Sequence, residues 1–210
     1  MKILETLLWV AGITLLCSYV GALFWGEQQR QEGLASFATA TATAHQPATE
    51  QWLVPPPANK PRPREIPLTA AATPAADAVI AVLRIPGIAL EVPVYEGTTA
   101  DVLRRGAGLV EGTAFPGSSG NVGIAAHRDT HFRALKDVAV GDLVELNTPE
   151  KTRFYRITAL EVVDPGDVHV LDDTGESMLT LVTCYPFYFV GNAPQRFIVH
   201  AVVTMPSGFM

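Results

Sequence analysis

Cysteine is nearly absent from this sequence, and its scarcity excludes a fold held together by disulfide bonds. Only Cys17 and Cys184 occur among the 210 residues, and they lie in segments of very different composition. A disulfide framework requires several cysteines at regular spacing. Cys17 belongs to an apolar run, whereas Cys184 is a single thiol in a strand-rich region, so its presence needs a chemical explanation.

An excess of positive charge is also missing. Lys and Arg number 15 against 21 Asp and Glu, which gives a net charge of −6 at pH 7. Proteins that bind nucleic acid carry a basic patch or stripe. The composition therefore predicts no nucleic-acid partner. Internal repeats are absent as well, so we expect one ordinary domain with attachments.

What is present begins with an apolar N-terminus. Residues 6–26 (TLLWVAGITLLCSYVGALFWG) carry no charge, and such a run is long enough to cross about 30 Å of hydrocarbon as a helix. A cleaved signal peptide is the alternative, but its apolar core has only about 7–15 residues. We therefore predict an N-terminal membrane anchor helix over residues 1–26. Lys2 precedes the run, which places the N-terminus in the cytoplasm and the rest of the chain outside.

Residues 27–77 have a different composition, rich in Ala, Thr and Pro and poor in apolar periodicity. A segment of this kind buries too little apolar surface to offset its ordering entropy. Its prolines, as in VPPPANKPRPREIP, favour an extended polyproline II conformation. We expect an extracytoplasmic linker that holds the following domain away from the membrane.

Residues 78–205 change character again and predict an all-β domain. Short β-branched segments are separated by Gly, Pro, Asp and Asn, as in VIAVLRIP, NVGIAAH, SMLTLVTC and RFIVHAVVTM. This spacing is typical of a barrel or a sandwich. TPEKT at 148–152 is a predicted hairpin loop. Only TADVLRRGAG at 99–108 and THFRALKDV at 130–138 have a helical pattern.

Cys184 and Arg196 lie at one end of a predicted strand pair. Cys184 ends the strand MLTLVTC and Arg196 begins the next strand, so a hairpin brings the guanidinium near the sulfur. A fixed cation in that place favours a thiolate or holds an oxyanion. Each residue also has an ordinary alternative, because a cysteine can be a small buried hydrophobe and an arginine a solvated or ion-paired strand residue.

His127 ends another short strand, NVGIAAH, at a break into a turn. An imidazole there can serve a thiol as acid or base, although a lone histidine is as often structural. Asp129 is placed either to orient this imidazole or to cap the short helix that follows. His131 raises the alternative of a zinc site. However, HRDTH lacks the glutamate of the HExxH motif, and the sequence offers too few further ligands to complete the site. We predict no metal, and His131 is expected to cap or pack the turn.

Together these motifs resemble one family. Residues 77–204 look like a sortase, one of the membrane-anchored cysteine transpeptidases of bacteria. The resemblance lies in the strand-ending histidine of GNVGIAAHRDT, in TLVTC, which fits the sortase TLxTC signature, and in the arginine of PQRFIV twelve residues after the cysteine. The DPGDVHVLDD stretch is most similar to class D and class E members.

The resemblance implies an eight-stranded sortase-type β-barrel with short helices, preceded by a transmembrane helix. The family's catalytic residues correspond to His127, Cys184 and Arg196. Cys184 would attack the threonine carbonyl of an LPXTG-like sorting signal, Arg196 would stabilise the oxyanion, and His127 would protonate the leaving amine. Thr183 is a supporting candidate through hydrogen bonding, and Asp129 is a weaker one. No cofactor is implied.

The implied partners are proteins with a C-terminal LPXTG-like signal and an amine acceptor on the cell surface, such as peptidoglycan or a pilin lysine. The implied location is the plasma (inner) membrane, with one span and an extracytoplasmic catalytic domain. Two other functions stay open. One is a membrane-tethered cysteine peptidase, in which water resolves the acyl-enzyme, and the other is a non-catalytic envelope adaptor barrel.

The remaining histidines and aromatic residues near these motifs are expected to be structural. His200 shares the strand face of Arg196 and is expected to fill the barrel, and His169 lies in a loop. The aromatic residues after the cysteine are expected to divide between the core and the wall of a groove; they are Tyr185, Phe187, Tyr188 and Phe189.

Overall fold

The all-β region closes into a barrel of eight strands in the computed structural model, which describes residues 2–44, 78–189 and 191–205. This confirms the predicted eight-stranded barrel with short helices. The strands are β1 Val79–Ile85, β2 Leu90–Glu96, β3 Ala107–Leu109, β4 Asn121–Ala125, β5 Leu143–Asn147, β6 Thr152–Val163, β7 Met178–Tyr185 and β8 Gln195–Thr204. The helices are α1 Lys2–Ala44 and α2 Ala100–Arg105, and short 3₁₀ helices span Pro86–Ile88, Arg133–Asp137 and Val168–Leu171.

Around the barrel the strands follow the order β1-β2-β3-β4-β7-β8-β6-β5, and β5 pairs with β1 to close the sheet. The β2–β3 and β4–β7 pairs are parallel, and the other pairs are antiparallel. Closure removes unpaired edge strands. The predicted loop at 148–152 joins β5 to β6, and the two segments with a helical pattern contain α2 and the 3₁₀ helix Arg133–Asp137.

Alternate residues of β7 and β8 point into the barrel, because successive side chains of a strand lie on opposite faces. Leu179 and Leu181 of β7 are fully buried in the core, as are Val199 and Ala201 of β8. Cys184 lies at an even-numbered position of β7 and therefore on the outer face. The outer surface of these strands is thus available for residues that the core does not require.

Helix α1 continues past the predicted end of the membrane anchor at residue 26 and ends at Ala44. The prediction of an extended linker is therefore wrong for residues 27–44, and residues 45–77 lie outside the described part of the chain. Alanine, a strong helix former, is frequent before Ala44, and the first proline after it is Pro47. Within the described residues, no helix has both the length and the apolar character needed to cross a membrane.

The second half of α1 packs against the outside of β1 and β2. Arg30 Nη1 donates a hydrogen bond to the carbonyl oxygen of Glu91 at 2.9 Å, and Phe37 is only 9% exposed. Gly33 lies so close to β2 that an added Cβ would be 2.6 Å from the Tyr95 hydroxyl oxygen. The helix is therefore attached to the barrel, and this packing is a second reason why residues 27–44 do not form an extended spacer.

Candidate active site

Cys184 and Arg196 are directly opposite each other in the antiparallel β7–β8 pair. Side chains of directly opposed residues lie on the same face, with Cβ atoms about 4.5–5.5 Å apart. Cys184 is a free cysteine with a partly exposed side chain. The strand register therefore places a guanidinium next to an accessible thiol, on the outer face of the barrel.

His127 comes to the same place from β4, which runs parallel to β7. The register pairs Ala125 with Val182, and two more residues along each chain bring His127 level with Cys184. The connection is held beyond the last pair, because the Ala126 amide donates to the Val182 carbonyl oxygen at 3.2 Å. His127 itself is exposed, so its imidazole is accessible to a ligand in front of the thiol.

Thr183 stabilises this arrangement through a buried hydrogen bond. Its side chain is 2% exposed, and its hydroxyl donates to the carbonyl oxygen of Ala126 at 2.7 Å. This hydrogen bond ties the residue before Cys184 to the residue before His127. Thr183 therefore sets the spacing of the two chain segments, and it does not point toward the thiol.

A cavity of about 360 Å³ brings the predicted residues together. Its lining residues are His127, Arg128, Asp129, Cys184, Gly191, Asn192, Ala193 and Arg196. A larger cavity of about 660 Å³ lies between α1 and the β5–β6 hairpin, but neither cysteine nor histidine is among the described residues that line it. Chemistry, and not size, identifies the smaller cavity as the candidate active site.

Asp129 lines this cavity, but neither of its two anticipated contacts is formed. The residue that precedes the 3₁₀ helix Arg133–Asp137 is Phe132, and no side chain caps that helix. Asp129 is exposed and forms no hydrogen bond within the described residues. Its contribution to the cavity in this structure is one negative charge beside two guanidinium groups.

Arg196 is held by the connection between β7 and β8. Its Nη1 donates to the carbonyl oxygen of Gln195 at 3.0 Å and, more weakly, to that of Ala193 at 3.4 Å. In the described part of the chain, Nε and Nη2 have no such partner and are the donors that remain for a ligand. The guanidinium is thus oriented by main-chain acceptors on one side.

Arg128 is a cavity residue that the sequence reasoning missed. Its Nη2 donates to the carbonyl oxygens of Phe189 at 2.6 Å and Gly191 at 3.1 Å. The signal was its position directly after His127 in HRD. An arginine in a turn is usually solvated, and only the fold shows that the β7–β8 connection passes next to it.

The prediction that His200 fills the barrel is wrong. Its neighbours Val199 and Ala201 point into the core, so the imidazole lies on the outer face. There Nε2 lies 2.8 Å from a Glu161 carboxylate oxygen, and Nδ1 lies 3.3 Å from the Thr180 hydroxyl. His200 belongs to a polar network on the outside of the sheet, on the same strand face as Arg196, and that face points away from the core at both residues.

The same network extends to the connection between β6 and β7. The Thr180 hydroxyl donates to Asn121 Oδ1 at 2.9 Å, and Asn121 Nδ2 donates to the carbonyl oxygens of Val170 and Asp172 at 3.3 and 3.2 Å. Asn121 is 3% exposed. This buried amide therefore fixes the 3₁₀ helix Val168–Leu171 over the outer surface of β4 and β7. His169, in that helix, is exposed.

The aromatic residues after Cys184 divide as the sequence analysis anticipated. Phe187 packs against the core, its ring centre 5.3 Å from that of Phe197, and Tyr185 stacks on Phe197 at 6.3 Å. Tyr188 is 76% exposed and Phe189 is 45% exposed. The connection is therefore packed against the core at Phe187 and exposed at Tyr188 and Phe189.

Comparison with known proteins gives consistent similarity. A family model described as Sortase domain matches residues 83–204. Sortase D of Bacillus subtilis (strain 168) is 38% identical over 120 residues, which cover 57% of this chain and 61% of that protein. Sortase SrtE1 of Streptomyces coelicolor is 35% identical over 127 residues, with coverage of 50% and 36%. The chain spans less than two thirds of the length of either relative.

Two solved structures show the same similarity in three dimensions. The Sortase D5 transpeptidase of Clostridium perfringens superposes with a TM-score of 0.57 and 32% identity, covering 63% of this chain and 82% of that chain. Sortase A from Corynebacterium diphtheriae gives a TM-score of 0.58 at 31% identity, covering 63% of each chain. The barrel, and not only the local motifs, is therefore similar to that of these proteins.

Proposed function

The chain belongs to the sortase family, and we propose that it is a cysteine transpeptidase that acts on an LPXTG-like sorting signal. The observation that carries the proposal is the cavity in which Cys184, His127 and Arg196 come together from three strand ends. Similarity to Sortase D and Sortase SrtE1 supports membership of the class D and E groups.

The first half-reaction begins at the sulfur of Cys184. The thiolate attacks the carbonyl carbon of the threonine in the signal, and a C–S bond forms as the carbonyl oxygen becomes an oxyanion. Arg196 stabilises that oxyanion with the donors that its main-chain contacts leave available. Because Nη1 is already held, the guanidinium is oriented before the charge develops.

His127 completes this half-reaction by proton transfer. As imidazolium it gives a proton to the nitrogen of the departing amine while the C–N bond breaks, which leaves a thioester on Cys184. In the second half-reaction an acceptor amine attacks the thioester and loses a proton to the neutral imidazole. The C–S bond then breaks and the thiolate is restored. Atoms and charges balance without a cofactor.

The location follows from the N-terminal segment. In this proposal residues 6–26 anchor the protein in the plasma (inner) membrane, with the N-terminus in the cytoplasm and the barrel outside. The support is the uncharged sequence of this run and the exposure of apolar side chains on α1, including Trp9, Leu15 and Leu16. The implied partners are membrane-borne or surface proteins with the sorting signal and an amine acceptor.

The experiment uses the full chain in detergent micelles and quenched peptides that carry variants of the signal. Each peptide is incubated with and without triglycine, beside Cys184→Ala. A ligated product that depends on both the amine and Cys184 is expected. Hydrolysis alone would replace the transpeptidase by a cysteine peptidase. Absence of cleavage with every peptide, together with a Cys184 that resists alkylation, would leave only the adaptor barrel.

A further inference from the structure

Two arginines hold the connection between β7 and β8 at alternate residues. Arg128 donates to the carbonyl oxygens of Phe189 and Gly191, and Arg196 donates to those of Ala193 and Gln195. Four carbonyl groups of one short stretch therefore face two guanidinium groups. Hydrogen bonds from charged donors are about twice as strong as neutral ones, so these contacts restrain the four residues whose carbonyl oxygens accept them.

Arg128 has a fixed orientation. Its guanidinium carbon lies 5.9 Å from the centre of the Phe189 ring, within the range of a cation–π contact, while Nη2 reaches two carbonyl oxygens. The residue also follows His127 directly. It thus joins the segment that carries the imidazole to the stretch that holds the oxyanion donor.

Arg128 is a poor choice if stability alone is considered. Its Nη1 is buried and has no hydrogen-bond partner among the residues that the structure describes. An unpaired buried donor carries a desolvation cost, and nearly all buried polar groups are paired. An uncharged side chain of similar length would avoid this cost, although it would lose the two hydrogen bonds to Phe189 and Gly191. A group with such a cost at a candidate active site indicates a contribution to activity.

Given the proposed function, we infer that Arg128 is a positioning residue for Arg196. It holds Phe189 and Gly191, and the chain leads from there to Ala193, whose carbonyl oxygen is one of the two acceptors of Arg196 Nη1. The other acceptor, Gln195, is fixed by its pairing with Tyr185 of β7. Arg128 does not touch the reacting atoms. A displacement of about 1 Å in a catalytic group can cost about 10² in rate, so loss of Arg128 acts on kcat and leaves KM nearly unchanged.

The test is a double-mutant cycle in the full chain, with Arg128→Met and Arg196→Ala alone and combined. Arg128→Met alone is expected to lower kcat by roughly 10- to 100-fold. In the Arg196→Ala background the same change is expected to cost less than about threefold, because Arg128 acts through Arg196. Full additivity of the two effects would overturn the inference.

Stability separates positioning from a merely structural role. Arg128→Met removes two hydrogen bonds near the surface together with one buried unpaired donor, so its unfolding temperature is expected to stay within a few degrees of the wild-type value. Arg153→Met is the matched control, because Arg153 Nη1 donates to the Ser118 carbonyl oxygen at 2.9 Å away from the cavity. The control is expected to keep kcat. A fall in kcat that tracks a fall in unfolding temperature would contradict the inference.

One readout does not depend on activity, and it keeps the inference separate from the proposed function. The Nε–H resonance of Arg196 in a ¹⁵N spectrum is expected to shift or broaden in Arg128→Met and to stay unchanged in Arg153→Met. An unchanged resonance in Arg128→Met would overturn the inference even if no peptide were cleaved. Failure of the wild type to cleave any peptide would instead contradict the proposed function.

Discussion

Two sides of the barrel carry additional structure, and they hold it by different forces. On the side of β1 and β2, helix α1 is attached mainly by close packing at Gly33 and Phe37, with Arg30 as a polar contact. On the side of β4, β7 and β8, the connections are fixed by buried or cavity-lining polar groups. Asn121 holds one connection and Arg128 holds another.

The difference follows from what each side must define. Packing is proportional to buried area and has no direction, so it holds a helix at a distance but tolerates small rotations. Hydrogen bonds fix direction as well as distance. Attack on a carbonyl depends on the direction of a thiol, an imidazole and a guanidinium, so the polar side is suited to chemistry and the packed side to attachment.

Removal of the oxyanion donor is expected to have the largest effect and to be confined to the polar side. Arg196→Ala should lower kcat by about 10²–10³, the usual cost of losing such a donor, with little change in KM. Steady-state kinetics on the best peptide measures this. Arg156→Ala is the control, because Arg156 Nη1 donates to the Gly141 carbonyl oxygen at the surface. Equal losses in both variants would contradict the assignment of Arg196.

The buried amide on the polar side gives the next effect. Asn121→Ala removes the amide donor of the Val170 and Asp172 carbonyl oxygens and the acceptor of the Thr180 hydroxyl, which should lower the free energy of unfolding by about 1–3 kcal/mol. The loosened 3₁₀ helix should also raise KM. Urea unfolding and peptide kinetics measure the two effects.

A partly exposed amide provides the comparison for the buried Asn121. Asn147 accepts a hydrogen bond from the Thr152 hydroxyl in the β5–β6 hairpin, at the surface. Asn147→Ala should change the free energy of unfolding by less than about 0.5 kcal/mol. If Asn147→Ala destabilised the protein as much as Asn121→Ala, burial would not be the reason for the larger cost.

The sequence predicted the polar side well where strand register alone decides position. A cysteine that ends one strand and an arginine that begins the next must meet if the strands pair, and they do. That prediction needed only the period of two and the pairing of consecutive strands. His127 was a candidate because it ends a strand at a turn, and its place beside Cys184 was expected only from the resemblance to sortases.

The sequence predicted poorly what depends on the path of connections and on which face is the core. Arg128 was missed because its partners are main-chain carbonyl groups about 60 residues away, at Phe189 and Gly191, and carbonyl groups carry no sequence signal. His200 was placed correctly on the strand face of Arg196, but the sequence did not show that this face is the outer one along the whole of β8. The helical state of residues 27–44 is favoured by their alanines, which the linker prediction did not weigh, and by contacts with β1 and β2 that composition does not record.

On the packed side, a single methyl group should weaken the attachment of α1. Gly33→Ala raises helix propensity by about 1 kcal/mol, but its Cβ would lie 2.6 Å from the Tyr95 hydroxyl oxygen and 3.0 Å from Pro93. Overpacking of this kind costs about 1–3 kcal/mol. Hydrogen exchange of residues 30–41 is therefore expected to accelerate, with kcat unchanged.

Gly12→Ala is the matched control for this helix. An added Cβ at Gly12 meets nothing within 4 Å, so exchange in α1 should stay equal or become slower. If Gly33→Ala also slowed exchange, helix propensity would outweigh the steric clash, and α1 would not be closely packed on β2. A fall in kcat with Gly33→Ala would instead show that the two sides of the barrel are coupled.

The smallest effect concerns Glu111, which stabilises the turn after β2 and belongs to neither of these two sides of the barrel. Hydrogen bonds from its own amide and from the Thr98 hydroxyl and amide hold the pKa of the carboxyl below its ordinary value. A lowered folded pKa means that this stabilisation is present above the unfolded pKa of about 4.5 and is lost as the pH falls through the folded pKa.

Because the Glu111 carboxylate is exposed, its contribution to the free energy of unfolding is below about 1 kcal/mol. Glu111→Gln should therefore flatten the loss of stability between about pH 5 and pH 3, measured by urea unfolding. Glu176→Gln is the control, because it changes an exposed carboxylate that forms no hydrogen bond in the described residues. It should leave the dependence of stability on pH as in the wild type. An equal dependence in all three proteins would show that the hydrogen bonds of Glu111 contribute nothing.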